Sequence, residues 1–286
     1  MGRSTMSSKN GISIANSNMH YSYYSLDDFI KAQTKLGIRN IEFYGSTPHF
    51  WIDHKEFDDC LAIKGKMEAA KLRLVAFAPN LYYYSLCAAH PEQVRNSLHY
   101  FENCIRVTAQ MGLSYFILTP AGGCNDLEYQ ETWDLCRQSL IHLCRAAEEY
   151  NLNLALGTAA RKTSPVVTTL EELAEMKKQV DADNLKITLD LVTMSQADET
   201  VAQWFRAFSK EIVHVHFSDG NNESYQICGE GCYPLMQYLQ QLNQCGYKGT
   251  LGLYIPNLQY WYNPYMADKD NLRSINAYFS KSQITL

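Results

Sequence analysis

The sequence contains no apolar run long enough to cross a membrane: its longest, such as Tyr115-Phe116-Ile117-Leu118, fall far short of the roughly 20 residues a span requires. The N-terminus has no apolar stretch after Arg3 of the kind a secretory signal needs, so a cytoplasmic protein is expected. No run of five like charges interrupts a formal net charge of −5, which excludes the clustered Lys/Arg footprint of a nucleic-acid binder. Paired cysteine spacing is also missing. Nine cysteines, an odd number scattered from Cys60 to Cys245, form no disulfide framework and read as reduced thiols. Cys228-x-x-x-Cys232 lacks the second pair that a zinc site of this type would need. No Ser/Pro-rich linker and no shift of composition divides the chain, so residues 11–286 are expected to form one domain behind a disordered polar tail over residues 1–10.

What is present is the composition of a globular core. Hydrophobic residues make up 46% and charged residues 19%, which argues against disorder. Tyrosine is in excess, with 20 residues concentrated in Tyr21-Ser22-Tyr23-Tyr24, Tyr82-Tyr83-Tyr84 and Tyr260-Trp261-Tyr262. Flat, hydroxyl-bearing loops of this kind suit a polar ring such as a sugar, and loop packing accounts for them almost as well.

Short β-branched and apolar runs recur at intervals of roughly 30 to 40 residues, each followed by a stretch of helical periodicity, the alternation that builds a parallel sheet. Strands are expected at Gly11 to Ala15, Asn40 to Tyr44, Arg73 to Ala78, Ser114 to Thr119, Asn153 to Gly157, Lys186 to Asp190, Ile212 to Ser218 and Thr250 to Ile255. About eight such units is the number of a (β/α)8 TIM barrel. Phe101, Cys104, Ile105, Val107 and Met111 follow a helical stripe, and Gly37, Gly112 and Gly246 stand where a helix would stop just before a strand.

In such a barrel the ligand sits at the C-terminal strand ends. Asp190 closes an apolar strand, where a carboxylate is costly unless paired or metal-bound. His214 and His216 are two apart and share a strand face, one a ligand candidate and the other a packed histidine. Carboxylate and imidazole together suit a divalent ion such as Mn²⁺, although two ligands are few. Thr119-Pro120-Ala121-Gly122-Gly123 reads as a tight turn rather than a phosphate loop.

Ile41-Glu42 with Tyr44-Gly45, Pro48-His49-Phe50, Leu189-Asp190, His214-Val215-His216 with Asp219, Cys228-Gly229-Glu230-Gly231 and Gly246-Tyr247-Lys248-Gly249 together resemble the xylose-isomerase-like TIM-barrel sugar isomerases and epimerases, in their fructoselysine and tagatose 3-epimerase branch. The resemblance covers nearly the whole chain. It implies a divalent metal, Mn²⁺ or another, held by an aspartate, a histidine and two glutamates that also move a proton beside a carbonyl. On this chain the aspartate and histidine fall on Asp190 and His216, while the glutamates fall on Gly157 and Tyr254. Positioned acid/base groups contribute roughly 10² to 10⁴-fold each, so their absence should leave the family reaction barely catalysed.

The expectation is therefore a protein of carbohydrate metabolism that binds a sugar or sugar derivative in the barrel mouth, with metal-dependent proton transfer lost or altered. The residues expected to touch the ligand are Glu42, His49, Arg161, Asp219 and Glu230, with Arg161 and Lys162 able to offer an anion a partner beside Gly157. The resemblance also implies self-association, as a homo-oligomer or beside an active paralogue. The alternative is an active ketose or fructosamine 3-epimerase or isomerase with a rearranged site, in which Tyr254, His216, Asp190 or Glu42 transfers the proton. The family's other branch, apurinic-site endonucleases, needs several metals and a basic surface, and the acidic charge disfavours it.

Overall fold

Strand β6, Leu185–Asp190, illustrates how the chain divides its side chains: Leu185, Ile187 and Leu189 are fully buried against the outer helices, while Thr188 and Asp190 alternate with them on the inner face. The other strands of the barrel are β1 (Ser13–Ser17), β2 (Asn40–Gly45), β3 (Arg73–Pro79), β4 (Tyr115–Leu118), β5 (Asn153–Leu156), β7 (Ile212–His216) and β10 (Thr250–Leu253). In the computed structural model, which describes residues 11–124, 126–282 and 284, these eight strands pair in parallel as a closed barrel in the order β1-β2-β3-β4-β5-β6-β7-β10. The tail expected over residues 1–10 lies outside the described residues.

Two further strands, β8 (Asp219–Gly220) and β9 (Tyr225–Gln226), form a small antiparallel pair after β7 that the periodicity does not announce. Two-residue strands carry too little pattern to be read. Strand β1 lies at Ser13–Ser17 rather than Gly11 to Ala15, and β7 and β10 end earlier than expected.

The helices are α1 (Leu26–Leu36), α2 (Cys60–Ala69), α3 (Pro91–Gln110), α4 (Tyr129–Glu148), α5 (Leu170–Val180), α6 (Leu191–Gln196), α7 (Val201–Phe208), α8 (Leu235–Gln244) and α9 (Pro264–Ser282). Each boundary has a local cause. Ser25 and Thr169 accept backbone N–H bonds at the starts of α1 and α5, and Pro91 begins α3 with no amide to leave unpaired. Gly37 directly follows α1, and Gly112 and Gly246 stand two residues past α3 and α8, at φ of 80°, 74° and 75°, the left-handed conformation that glycine adopts without a Cβ clash. The Phe101, Cys104, Ile105, Val107 and Met111 stripe is buried as expected. No helix among the described residues is long and apolar enough to cross a membrane.

One buried polar hub sets the loop after β1. Asp268 of α9, 1% exposed, accepts bonds from His20 Nε2 (2.9 Å), Tyr21 Oη (2.8 Å) and Gln33 Nε2 (2.7 Å). Those bonds tie α9 and α1 to the segment that carries Met19 into the barrel mouth.

Candidate ligand site

At the C-terminal end of the barrel Asp190 and His216 are direct neighbours, paired in register between β6 and β7. Asp190 is fully engaged. Its Oδ1 accepts from the backbone N–H groups of Val192 (2.9 Å) and Thr193 (3.2 Å), which caps α6, and its Oδ2 accepts from His216 Nδ1 (3.2 Å) and Tyr225 Oη (3.1 Å). The second nitrogen of His216, Nε2, meets Glu42 Oε1 at 3.3 Å. Glu42 Oε2 also accepts from His214 Nε2 at 2.8 Å, and His214 Nδ1 accepts from Tyr115 Oη at 3.0 Å. Glu42 and His214 are fully buried, and Asp190 and His216 are each 5% exposed.

The charges in this chain follow from its contacts. Burial disfavours a charged His216, but Glu42 and Asp190 outweigh it and push its pKa up to about 10, so the ring carries both protons and donates in both directions. Burial likewise opposes ionisation of Glu42, yet His216 and His214 hold its carboxyl well below the usual carboxylate range. Burial lowers the pKa of His214, which stays neutral and donates only through Nε2. Burial, then Asp190, raises the Tyr225 phenol, and burial also raises Tyr254. Tyr254 lies flat on His216, with ring centroids 4.6 Å apart and planes at 9°, a geometry that favours the cationic imidazole.

Above this floor opens a cavity of about 510 Å³, within the range typical of small-molecule sites. Its wall includes Tyr44, Thr158, Asp190, His216, Tyr225 and Tyr254. Tyr254 faces it, as the strand-end reading required. Gly157 is not among the residues lining it, and a Cβ there would stand 3.3 Å from the Thr188 carbonyl and 3.5 Å from Thr119 Cγ2.

The other expected contact residues are placed elsewhere by the loops that carry them. Glu42 lies beneath the cavity rather than in its wall, yet it reaches His216, so its early position along the chain does not remove it from the site. His49 is buried against the loop after β1, with Nδ1 2.8 Å from Asn18 Nδ2 and Nε2 3.0 Å from the Tyr24 carbonyl. Arg161 is exposed and borders an adjoining depression with Gln196, Asp198 and Asn222, which shares Lys162, Thr193 and Glu223 with the main cavity.

Asp219 organises the turn that carries Cys228 and Cys232. It accepts from the N–H groups of Gly220 (2.8 Å), Tyr233 (3.2 Å) and Gly229 (2.9 Å). Glu230 is exposed and accepts from Tyr260 Oη at 2.8 Å. Cys228 is buried and Cys232 exposed, and their Sγ atoms point at the carbonyls of Phe217 (3.9 Å) and Gly220 (3.4 Å). The residues that sequence reasoning missed are Tyr115, Tyr225 and Gly252. Tyr225 belongs to the two-residue strand β9, and the contacts of Tyr115 and Gly252 cross the barrel.

The side chains expected to hold a divalent ion are engaged with one another. Asp190 spends both oxygens, and both nitrogens of His216 point at carboxylates. Glu42, His214 and His216 do bring one donor atom each within 4.8 Å of one another, a spacing compatible with a metal among the described residues. Here the three side chains are joined by hydrogen bonds of 2.8 and 3.3 Å, and an ion bound at the two imidazole Nε2 atoms would have to displace their protons.

Comparison with known proteins agrees with this architecture. The family model described as xylose isomerase-like TIM barrel matches residues 30–277. The chain is similar to fructoselysine 3-epimerase of Shigella flexneri, 23% identical over 220 residues that cover 76% of this chain and 80% of that protein. A shorter match, 24% identical over 119 residues, joins it to D-psicose 3-epimerase of Ruminiclostridium cellulolyticum, covering 42% of this chain and 40% of that one. Among solved structures, the fold is shared with 3-keto-D-glucoside 4-epimerase YcjR of E. coli (TM-score 0.77, 16% identity, 92% of this chain and 98% of that one). It is shared as well with the IOLI protein, solved with a zinc atom (TM-score 0.76, 15% identity, 94% and 98%). The chain therefore belongs to the xylose isomerase-like TIM-barrel family, whose named relatives here are sugar epimerases.

Proposed function

We propose that this protein binds a sugar or sugar derivative in the barrel mouth and does not carry out metal-dependent proton transfer there. The observation that carries the reading is His216, whose two nitrogens are each held by a carboxylate, beside Gly157 and Tyr254 in place of the two expected glutamates. A doubly protonated imidazole has no lone pair for an ion, and neither glycine nor a high-pKa phenol replaces a carboxylate base. The hydroxyls of Tyr44, Thr158, Tyr225 and Tyr254 around the cavity suit a polyhydroxylated ring. On this reading the protein is a cytoplasmic binding or regulatory subunit, acting as a homo-oligomer or beside an active paralogue.

The test is metal analysis of protein purified without chelator, followed by epimerisation assays on ketoses and fructosamines. Substoichiometric metal and no turnover are expected. Stoichiometric Mn²⁺ or Zn²⁺ together with turnover overturns the proposal.

A second reading rests on the cationic His216 and the Tyr225 phenol at the cavity floor, which supply two proton donors without a metal. It requires turnover that survives chelation and vanishes in Asp190→Asn and His216→Asn.

A further inference from the structure

The cavity has two unlike sides, and the strand order separates them. Along the consecutive strands β3, β4 and β5 the wall carries an apolar strip, Ala78, Pro79 and Leu81 from β3 and its loop, Ile117 on β4, and Ala159 and Ala160 after β5, interrupted by Asn80, Thr119, Thr158 and Thr163. Along β6 and β7, and from the hairpin and β10 loop beside them, it is polar: Asp190, Thr193, His216, Tyr225, Tyr254 and Asn257. A lone sugar ring fits the second side and leaves the first side wet. Keeping water against such an apolar wall forgoes roughly 25 cal/mol for each Å² that a ligand would cover.

The charge of the ligand follows from the same wall. Lys162 is the only Lys or Arg among the described residues lining the cavity, and one of its three N–H donors meets the Glu223 carbonyl. Asp190 and Glu223 are also in the lining, and His216 is neutralised by its two carboxylates. With Lys162 set against Asp190 and Glu223, the lining carries no net positive charge to attract a phosphate or carboxylate. At the outer end of the apolar side stands Tyr82, 81% exposed and touched edge-on by Tyr83 at 4.8 Å between ring centroids. A large aromatic ring exposed at a cavity mouth is a surface waiting for an apolar partner.

We infer that the ligand is a neutral sugar carrying an apolar or aromatic substituent, a glycoside whose ring lies on the β6–β7 side and whose substituent lies along Pro79, Leu81 and Tyr82. This rests on the sugar-binding reading above and narrows it, since the lining offers no net positive charge to a sugar phosphate. The cavity of about 510 Å³ leaves room for both parts, because sites of roughly 300 to 1,000 Å³ hold drug-sized ligands.

The experiment is titration calorimetry with pairs of phenyl and methyl β-glycosides of glucose, galactose and xylose, together with glucose and glucose 6-phosphate. The phenyl member of at least one pair is expected to bind about tenfold or more tightly than its methyl partner, a difference of about 1.4 kcal/mol. Glucose 6-phosphate is expected to bind no better than glucose. Leu81→Ser should shrink the phenyl-to-methyl ratio, and Tyr225→Phe should weaken both members alike and leave the ratio in place. Methyl and phenyl members bound equally overturn this inference while leaving sugar binding intact. Tighter binding of the phosphate overturns the neutral-ligand part, and no binding by any member at millimolar concentration overturns both this inference and the sugar-binding reading.

Discussion

Glu42 on β2 and His214 on β7 meet at 2.8 Å although β1 and β10 lie between their strands, and Gly252 of β10 is what lets them meet. A Cβ on Gly252 would stand 2.4 Å from Glu42 Oε2 and 2.5 Å from His214 Nε2, inside the contact distance of either. The glycine is needed here for its missing side chain.

Gly252→Ala should therefore destabilise the barrel by about 3 kcal/mol, since the methyl overpacks the floor and forces a buried, charged carboxylate away from its partner. Denaturant unfolding of the variant checks this, and a midpoint equal to the parent's would contradict the contact.

The protonation of His216 has a definite sign. Its folded pKa of about 10 lies above an unfolded value of about 6.5, so its contribution to stability is complete below about pH 6.5 and is lost as pH rises through about 10. Glu42 acts in the opposite window: its depressed pKa makes a contribution that is present above about pH 4.3 and is lost only as pH falls well below that. Unfolding free energy is expected to decline from pH 7 to pH 10 in the parent and much less in His216→Gln. In histidine NMR at pH 8, His216 should read as imidazolium and His214 as neutral.

Asp190→Asn separates capping from charge. The amide oxygen can still accept from Val192 and Thr193, so α6 keeps its cap, while the ion pair with His216 and the bond from Tyr225 are weakened. A loss of about 2 kcal/mol at pH 7 is expected, with a lower His216 pKa by NMR. Unchanged titration of His216 would remove Asp190 from the charge chain.

Tyr254→Leu keeps an apolar cover over His216 but removes the aromatic face. A loss of about 1 kcal/mol and a modest fall in the His216 pKa are expected, measured by unfolding at pH 7 and by the same NMR titration. Gain of Mn²⁺ binding in this variant would mean that the tyrosine, rather than the carboxylate partners, keeps metal away.

Much of this was legible in the residue order. The β-α alternation, the glycine stops at Gly37, Gly112 and Gly246, and the strand-end positions of Asp190 and His216 are local properties, fixed by side-chain periodicity and backbone sterics within a few residues. Those signals suffice for the barrel and for one edge of its site. The resemblance added His49, Asp219 and Glu230 as ligand contacts, and the place of Arg161 just after Gly157 added a fourth. Instead the structure gives His49 and Asp219 buried loop-organising bonds, gives Glu230 a bond to Tyr260, and turns Arg161 to a neighbouring depression. A motif shared in order does not fix where a loop aims its side chains.

What only the tertiary structure decided is which groups meet across the barrel. Glu42 is 172 residues from His214 and Tyr115 is 99, and nothing in the neighbourhood of any of them in the chain encodes the approach. It depends on how far the closed barrel staggers β2, β4 and β7 and on the space left by Gly252, a relation among strands that sets in only when the barrel closes. The sequence alone determined that this chain would form a barrel with an acid and a histidine at its mouth. Closure of the barrel determined that the histidine would stand between two carboxylates, which hold it as a cation.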